Sequence, residues 1–296
     1  MKKLLALILA ALLGIPACAF ADTVVASFFP VRLLAEKLLR GCDDIVLTSL
    51  SDPQTGCLHD YTLTSGDLRK LTDADLFLIN GAGMESFLEM VFDAFPSLPV
   101  ADASEGIDLL PSESGETPMN AHVWLDPLQA LQMCRNMAES LKAVFPDRAA
   151  VIEDNLALTA EELTSLDAEL REGLSSLARR DIITFHEAFP YFARRYDLTV
   201  DAVIALEPDE ALSAGTLAAL MKQVVQLDYP PLFTEPQYPS LAAQVIHQET
   251  GAPVYELDPC VTPSEDSADI HYYEEIMRKN LAVLQEVLGY TATERH

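Results

Sequence analysis

The chain has little positive charge and few long apolar runs. It carries 19 Lys and Arg residues against 46 Asp and Glu residues, a formal net charge of −27 at pH 7. Nucleic-acid binding depends on cationic side chains that neutralise phosphates, so this balance argues strongly against a nucleic-acid partner. Beyond the first twenty or so residues, no segment is long and apolar enough to predict a membrane span. The acidity is typical of an exported protein or one that handles cations, although solubility alone also accounts for it.

Cysteine is scarce, and its spacing matches no metal-binding motif. No C-x-x-C pair occurs among the five cysteines, which are Cys18, Cys42, Cys57, Cys134 and Cys260. Disulfides are permitted in an exported protein, but their connectivity cannot be read from a sequence. Unpaired buried thiols are an equally open alternative.

The N-terminus has the pattern of an export signal. Residues 1–21 combine two lysines, a short apolar run and small residues, as a secretory signal peptide does. Residues 19–21 (AFA) form an A-x-A cleavage site before Asp22, whereas IPAC resembles a lipobox in which Cys18 would carry a lipid. We predict an exported protein, located in the periplasm or at the extracytoplasmic face of the membrane, with a lipid anchor at Cys18 as an alternative.

Apolar strands and amphipathic helices alternate in two separate parts of the chain. Near-continuous apolar runs alternate with helical periodicity over residues 23–104 and again over residues 181–289, which is typical of parallel sheets covered by helices. Between them the chain is almost entirely helical and is interrupted at Pro146. We therefore predict an α/β fold of two lobes, each a mainly parallel sheet flanked by helices, joined by one long backbone helix. The predicted divisions are a signal peptide (1–21), an N-terminal α/β lobe (22–140), a connecting long helix (141–180) and a C-terminal α/β lobe (181–296).

Three of the six histidines and one aspartate lie at the ends of predicted strands or in the loops that follow. They are His59, His122, His186 and Asp258, two from each lobe. Ligands bind at this edge of open parallel sheets, so the four side chains could converge on a cleft between the lobes. Three imidazoles and a carboxylate suit a first-row divalent metal such as zinc. The gaps of 63, 64 and 72 residues match no compact metal motif, so ordinary packed histidines remain an alternative.

Several segments resemble, in the same order, the metal-receptor proteins of bacterial ABC importers for zinc and manganese. The resemblance extends from about residue 23 to residue 290. HVWLDP (122–127) is its most specific segment, and LHDYTLT (58–64), FHEAFPYFARRYDL (185–198), LFTEPQYPS (232–240) and ELDP (256–259) add to it.

This resemblance implies one metal ion held between two lobes and delivered to a membrane permease. Carried over by motif, the metal ligands are His59, His122, His186 and Asp258. The resemblance also implies that Trp124 packs near His122 and that Asp126 caps the helix that Pro127 opens. A separate local signal predicts Ser65 as the N-cap of a short helix.

The segment around the first histidine departs from the family pattern. The family usually has P-H-x-Y-E-P, whereas this chain has LHDYTL at residues 58–63, without the proline and the glutamate. Cys57 and Cys260 each lie within two residues of a proposed ligand. We expect them to be spectator thiols or a disulfide rather than ligands, because four ligands already complete a tetrahedral shell.

The third ligand helps to sort the metals in this family. A glutamate there is typical of manganese receptors and a histidine is typical of zinc receptors, so His186 favours Zn²⁺, with Mn²⁺ or both metals as the alternative. The loop before His122 is short and contains no histidine, unlike the His-rich loop of many zinc receptors. We expect a monomer whose long helix limits lobe movement, so that the metal is released through local loop changes.

A secreted zinc hydrolase is the alternative class. HEAFP (186–190) begins like H-E-x-x-H, but Pro190 stands where the second histidine should be. A catalytic zinc needs an open position for water, which four protein ligands would fill. Glu187 could act as a base, but the sequence favours an acid in the first turn of the following helix. We therefore predict a protein that is not an enzyme.

Overall fold

The computed structural model describes residues 21–51, 58, 61–112, 118–204, 214–237, 241–263 and 269–289. Cys18, Cys57 and His59 lie outside these residues, as does the predicted signal peptide apart from Ala21. Among the described helices, none combines the length and the apolar character needed to cross a bilayer.

The N-terminal lobe is a four-stranded parallel sheet with helices around it. Its strands lie in the order β2-β1-β3-β4. The central strand β3, LFLI, is buried along its whole length, as expected for a parallel strand covered on both faces. The elements are β1 (Asp22–Ala26), α1 (Phe29–Leu38), β2 (Ile45–Ser49), α2 (Ser65–Thr72), β3 (Leu76–Ile79), α3 (Leu88–Ala94) and β4 (Val100–Asp102).

Helix α2 begins at Ser65 itself, so the prediction that Ser65 is its N-cap is wrong by one residue. Thr64 is the N-cap and forms a capping box with Asp67. The Asp67 backbone N–H donates to the Thr64 hydroxyl oxygen at 3.3 Å, and the Thr64 backbone N–H donates to the Asp67 carboxylate at 2.8 Å. Two adjacent residues with hydroxyl side chains made the cap ambiguous, and the acid three residues after Thr64 resolves it.

Two helices follow the first sheet. They are α4 (Pro127–Val144) and α5 (Ala149–Leu174), which pack against each other and are separated by a 3-10 turn at Pro146–Arg148. The predicted connecting segment 141–180 thus contains the last turn of α4, this turn and all of α5. Helix α5 is 26 residues long and is the predicted long helix between the lobes.

The C-terminal lobe repeats the arrangement of the first. Its parallel strands lie in the order β6-β5-β7-β8, the same pattern as in the N-terminal lobe. The predicted fold class is therefore confirmed. The elements are β5 (Asp181–Thr184), α6 (Pro190–Arg195), β6 (Thr199–Val203), α7 (Ala214–Gln226), β7 (Leu232–Thr234), α8 (Leu241–Thr250), β8 (Val254–Glu256) and α9 (Tyr272–Leu288).

One hydrophobic core extends through both lobes. It includes Val24 of β1, Leu166 of α5, Phe192 of α6, Phe233 of β7 and Ile276 of α9. A smaller core lies between the second sheet and helices α7 and α8. Because this core is continuous from one lobe to the other, separating the lobes would expose side chains that each stabilise the folded state by roughly 1.5–3 kcal/mol when buried.

A buried lysine joins three helices that belong to different parts of the fold. Lys37 of α1 is fully buried, and its Nζ lies 2.6 Å from Glu274 Oε1 of α9 and 3.2 Å from Glu162 Oε2 of α5. Arg40 donates two further hydrogen bonds to Glu162, at 2.9 and 2.7 Å. Helix α9 is therefore held against the first helix of the N-terminal lobe.

We expect Lys37→Met to lower the free energy of unfolding by about 3–5 kcal/mol, because it leaves the buried Glu274 carboxylate without its cation. Urea denaturation measures this change. Lys142→Met is the matched control, since Lys142 pairs with the exposed Glu139 and Glu153, and its loss should cost less than about 1 kcal/mol. Equal, small losses in both variants would show that the Lys37 cluster does not hold the three helices together.

Candidate metal centre

The structure describes three of the four predicted ligands, and His59 lies outside the described residues. His186 comes two residues after β5, and Asp258 comes two residues after β8. His122 lies in the loop between β4 and α4, directly before a 3-10 turn at Val123–Leu125. All three therefore follow the carboxyl ends of parallel strands, where open sheets bind ligands.

Two predicted ligands, His122 and His186, come from different lobes, and their rings meet edge to face. The ring centroids of His122 and His186 are 4.7 Å apart, with an interplanar angle of 83°. His122 is 2% exposed. Since zinc binds imidazole nitrogen at about 2.0–2.1 Å, rings at this separation are close enough to share one ion.

The loop that contains HVWLDP has the packing and the helix cap that the resemblance implied. Trp124 packs against His122 with ring centroids 5.2 Å apart. Asp126 is the N-cap of α4, and its Oδ1 accepts hydrogen bonds from the backbone N–H groups of Leu128 and Gln129 at 2.9 and 3.4 Å. Both expectations are confirmed. Trp124 also donates from Nε1 to the Pro259 carbonyl at 2.8 Å, which ties the His122 loop to the loop that carries Asp258.

His122 is held by the side chain of Asn120. The backbone N–H of His122 donates to Asn120 Oδ1 at 2.9 Å, and His122 Nδ1 lies 3.1 Å from the same oxygen. Asn120 Nδ2 donates to the backbone carbonyl of Glu187 at 2.7 Å. The amide of Asn120 therefore contacts one predicted ligand and the residue that follows another.

The turn after β3 supports the same loop from the N-terminal lobe. Asn80 Nδ2 donates to the carbonyl of Ala121 at 2.9 Å. The turn is held by the buried Glu85 carboxylate, which accepts from the backbone N–H groups of Asn80 and Gly81 at 2.7 and 3.1 Å. Burial raises the pKa of Glu85 to about 7. The turn after β3 thus also holds the backbone that leads into His122.

His186 is paired with a carboxylate that sequence reasoning missed. Its Nδ1 lies 2.9 and 3.2 Å from the two carboxylate oxygens of Glu235, which is 3% exposed. Gln237 donates a further hydrogen bond to Glu235. Glu235 directly follows β7, the strand beside β5, so it lies where the strand order of the sheet reverses. An acidic residue straight after a buried central strand was the available signal.

Asp258 is partly buried, and two hydrogen bonds with Asn280 hold its backbone. Its backbone N–H donates to Asn280 Oδ1 at 2.9 Å, and Asn280 Nδ2 donates to its carbonyl at 2.8 Å. Burial, helped by the nearby charges of Glu235 and Glu256, raises the pKa of the Asp258 carboxyl to about 6, although a hydrogen bond from the Cys260 backbone acts to lower it. A cation beside Asp258 would relieve this accumulation of negative charge.

Of the two cysteines near the predicted ligands, the structure describes Cys260. Cys260 is a buried free thiol, and Cys57, its possible disulfide partner, lies outside the described residues. Burial raises the pKa of the Cys260 thiol well above its usual value. Cys42 and Cys134 are also buried free thiols.

Glu187 does not lie in the first turn of a helix, so that expectation is wrong. Helix α6 begins at Pro190, three residues further on. The carboxylate of Glu187 accepts a hydrogen bond from the Ser112 hydroxyl at 2.7 Å and is 6% exposed. Glu187 therefore connects the C-terminal lobe to the loop that precedes His122.

Comparison with known proteins adds relatives that match along most of the chain. A family model described as zinc-uptake complex component A, periplasmic (ZnuA), matches residues 24–287. The zinc-binding lipoprotein AdcA of Streptococcus pneumoniae is 28% identical over 278 residues, which cover 89% of this chain and 55% of that protein. The high-affinity zinc uptake system protein ZnuA of Haemophilus ducreyi is 27% identical over 276 residues, which cover 84% of this chain and 88% of that protein. The chain thus spans about half the length of the AdcA relative.

A solved structure shows the same fold. The Zn(II)-bound ZnuA-like domain of Streptococcus pneumoniae AdcA aligns with a TM-score of 0.79 at 28% identity, over 91% of this chain and 99% of that chain. The two-lobed architecture described above is therefore shared along nearly all of both chains.

We expect Glu235→Gln to weaken Zn²⁺ binding roughly 10–100-fold, as is typical when the outer partner of a ligating histidine is lost. The glutamine side chain has the same size as glutamate. It lacks the negative charge of the carboxylate that accepts a hydrogen bond from His186. Competition with a chromogenic chelator measures the affinity. Glu256→Gln is the matched control, because Glu256 also acts electrostatically on Asp258 but is exposed. Equal losses in the two variants would assign the effect to net charge and contradict a role in holding His186.

Proposed function

The chain belongs to the family of zinc-uptake complex component A, periplasmic, and we propose that it is an extracytoplasmic receptor for a divalent metal ion. In this proposal it captures one Zn²⁺ ion between its two lobes and delivers it to the membrane permease of an ABC importer. Support comes from relatives along most of the chain that are named for zinc binding or zinc uptake. The observation that carries the proposal is the meeting of His122 and His186 from opposite lobes, with ring centroids 4.7 Å apart.

We propose His59, His122, His186 and Asp258 as the ligands. In His122 and His186, Nδ1 faces a protein oxygen, that of Asn120 or that of Glu235, which supports metal coordination through Nε2. This is the usual arrangement of ligating histidines, whose second ring nitrogen bonds to a carboxylate or an amide. Three imidazoles with one carboxylate favour zinc over manganese, because nitrogen ligands bind zinc more strongly. Manganese, alone or beside zinc, is the alternative cargo.

Metal capture without catalysis is the second part of the proposal. Four protein ligands would complete a tetrahedral shell and leave no position for a reactive water. Glu187, the base that a hydrolase would need, is buried and bonded to Ser112. We further propose that the protein acts as a monomer, either free in the periplasm or anchored through Cys18.

The mechanism of release follows from how the lobes are joined. We propose an N-terminal lobe (22–140), a connecting segment (141–180) and a C-terminal lobe (181–296) that move little against each other. The shared core, the Lys37 cluster and the hydrogen bonds between the His122 loop and the C-terminal lobe all oppose rotation. Delivery to the permease would then use local changes in the loops that carry the ligands.

Small-angle X-ray scattering of the metal-free and the metal-loaded protein tests this mechanism. We expect superimposable curves, because opening the lobes would break hydrogen bonds that each contribute about 0.5–1.5 kcal/mol and would expose part of the shared core. A clear increase in the radius of gyration of the metal-free protein would mean that release occurs by rotation of a lobe.

Metal content and competition binding on chelator-stripped mature protein test the function. We expect one Zn²⁺ per chain, not displaced by excess Mn²⁺. His122→Ala, His186→Ala and Asp258→Asn should each lower the affinity by more than the roughly 10–100-fold typical of outer partners. His247→Ala is the control, because His247 lies in α8 and bonds to the Ala252 carbonyl. Comparable manganese binding would indicate a receptor for both metals, and the absence of a stoichiometric metal would overturn the proposal.

A further inference from the structure

We propose that Asn120 is a positioning residue that sets the tautomer of His122. A backbone carbonyl of the opposite lobe sets the orientation of the Asn120 side-chain amide. This inference rests on the proposed function only in making His122 a metal ligand. Asn120 lies two residues before His122 and is 2% exposed. None of the predicted roles derived from the sequence included it.

Every polar group of Asn120 has a partner in the structure. Its backbone N–H donates to the Leu110 carbonyl at 2.8 Å, and its carbonyl accepts from the Tyr191 hydroxyl at 2.8 Å. Its side chain accepts at Oδ1 from the His122 backbone N–H and donates at Nδ2 to the Glu187 carbonyl. A buried amide in this setting has a single orientation that satisfies its surroundings.

The two backbone partners decide which end of the amide faces His122. A backbone N–H can only donate and a backbone carbonyl can only accept. If the amide were flipped, Nδ2 would face the His122 N–H and Oδ1 would face the Glu187 carbonyl, and both hydrogen bonds would become repulsive contacts. The oxygen of Asn120 therefore lies on the His122 side, independently of any assumption about the imidazole.

That orientation determines the state of the imidazole. The amide oxygen accepts only, so His122 Nδ1, at 3.1 Å from it, must carry the proton. The lone pair of the neutral ring is then on Nε2, which is the nitrogen that can bind a metal ion. Without this partner, the tautomer with the proton on Nε2 would compete, and that form cannot bind metal through Nε2.

The carbonyl that orients Asn120 belongs to Glu187, the residue directly after His186. One amide therefore links the tautomer of the ligand from the first lobe to the backbone beside the ligand from the second. The same hydrogen bond therefore joins the lobes and prepares the His122 ring to bind metal through Nε2. Tyr191, whose hydroxyl also accepts from the Leu110 N–H at 2.9 Å, holds the Asn120 backbone from the second lobe.

The first test is ¹⁵N NMR of histidine-labelled, metal-free protein at about pH 8, above the usual histidine pKa. His122→Ala assigns the His122 signal. We expect the wild type to show only the Nδ1–H form of His122, and Asn120→Ala to populate the Nε2–H form. Asn120→Asp should retain the Nδ1–H form, because both carboxylate oxygens accept. A pure Nδ1–H form in a folded Asn120→Ala protein would overturn the proposal.

The second test is Zn²⁺ affinity by chelator competition. Asn120→Ala should bind roughly 10–100-fold more weakly than the wild type, the loss expected for an outer partner of a ligand. Asn136→Ala is the matched control and should bind as the wild type does, because Asn136 donates only to the carbonyls of Ala103 and Glu105 within the N-terminal lobe. An unchanged affinity in Asn120→Ala would contradict this inference alone. A wild type that binds no metal would contradict the proposed function, while the tautomer experiment would still decide the role of Asn120.

Discussion

Hydrogen bonds that cross from one lobe to the other determine the geometry of the candidate metal centre. Trp124 donates to the Pro259 carbonyl, Asn120 donates to the Glu187 carbonyl, and Tyr191 donates to the Asn120 carbonyl. These groups are buried or nearly so, and a buried polar group that loses its partner costs about 1–3 kcal/mol. The loops that carry His122, His186 and Asp258 are therefore held together by hydrogen bonds from side chains to backbone carbonyls.

The two lobes use the same topology to build different halves of the site. In each sheet the strand order reverses beside the first strand of the lobe, and a polar side chain follows the neighbouring strand at that point. In the first lobe this residue is Asn80, which holds the His122 loop through Ala121. In the second lobe it is Glu235, which contacts His186 directly. A neutral amide and a carboxylate at equivalent places give the two histidines supports of different charge.

Electrostatics favours a cation between these groups. Glu235 lies close enough for its charge to raise the pKa of the Asp258 carboxyl. A divalent ion would offset both charges and would turn an unfavourable cluster into a favourable one. Elsewhere in the protein, the positive charge of the fully buried Lys37 offsets the negative charges of Glu162 and Glu274. The protein thus supplies its own cation where the three helices are joined.

The sequence determined the alternation of strands and helices, the long helix and the positions of His122, His186 and Asp258 after strands, because periodicity and strand ends are local properties. It also determined the cap at Asp126, since a cap depends on a few neighbouring residues. Only the tertiary structure decided that Glu235 pairs with His186 and that Asn120 orients His122 against the Glu187 carbonyl. Those contacts join residues 49 and 67 positions apart, and no local pattern encodes which distant backbone group a buried side chain will meet.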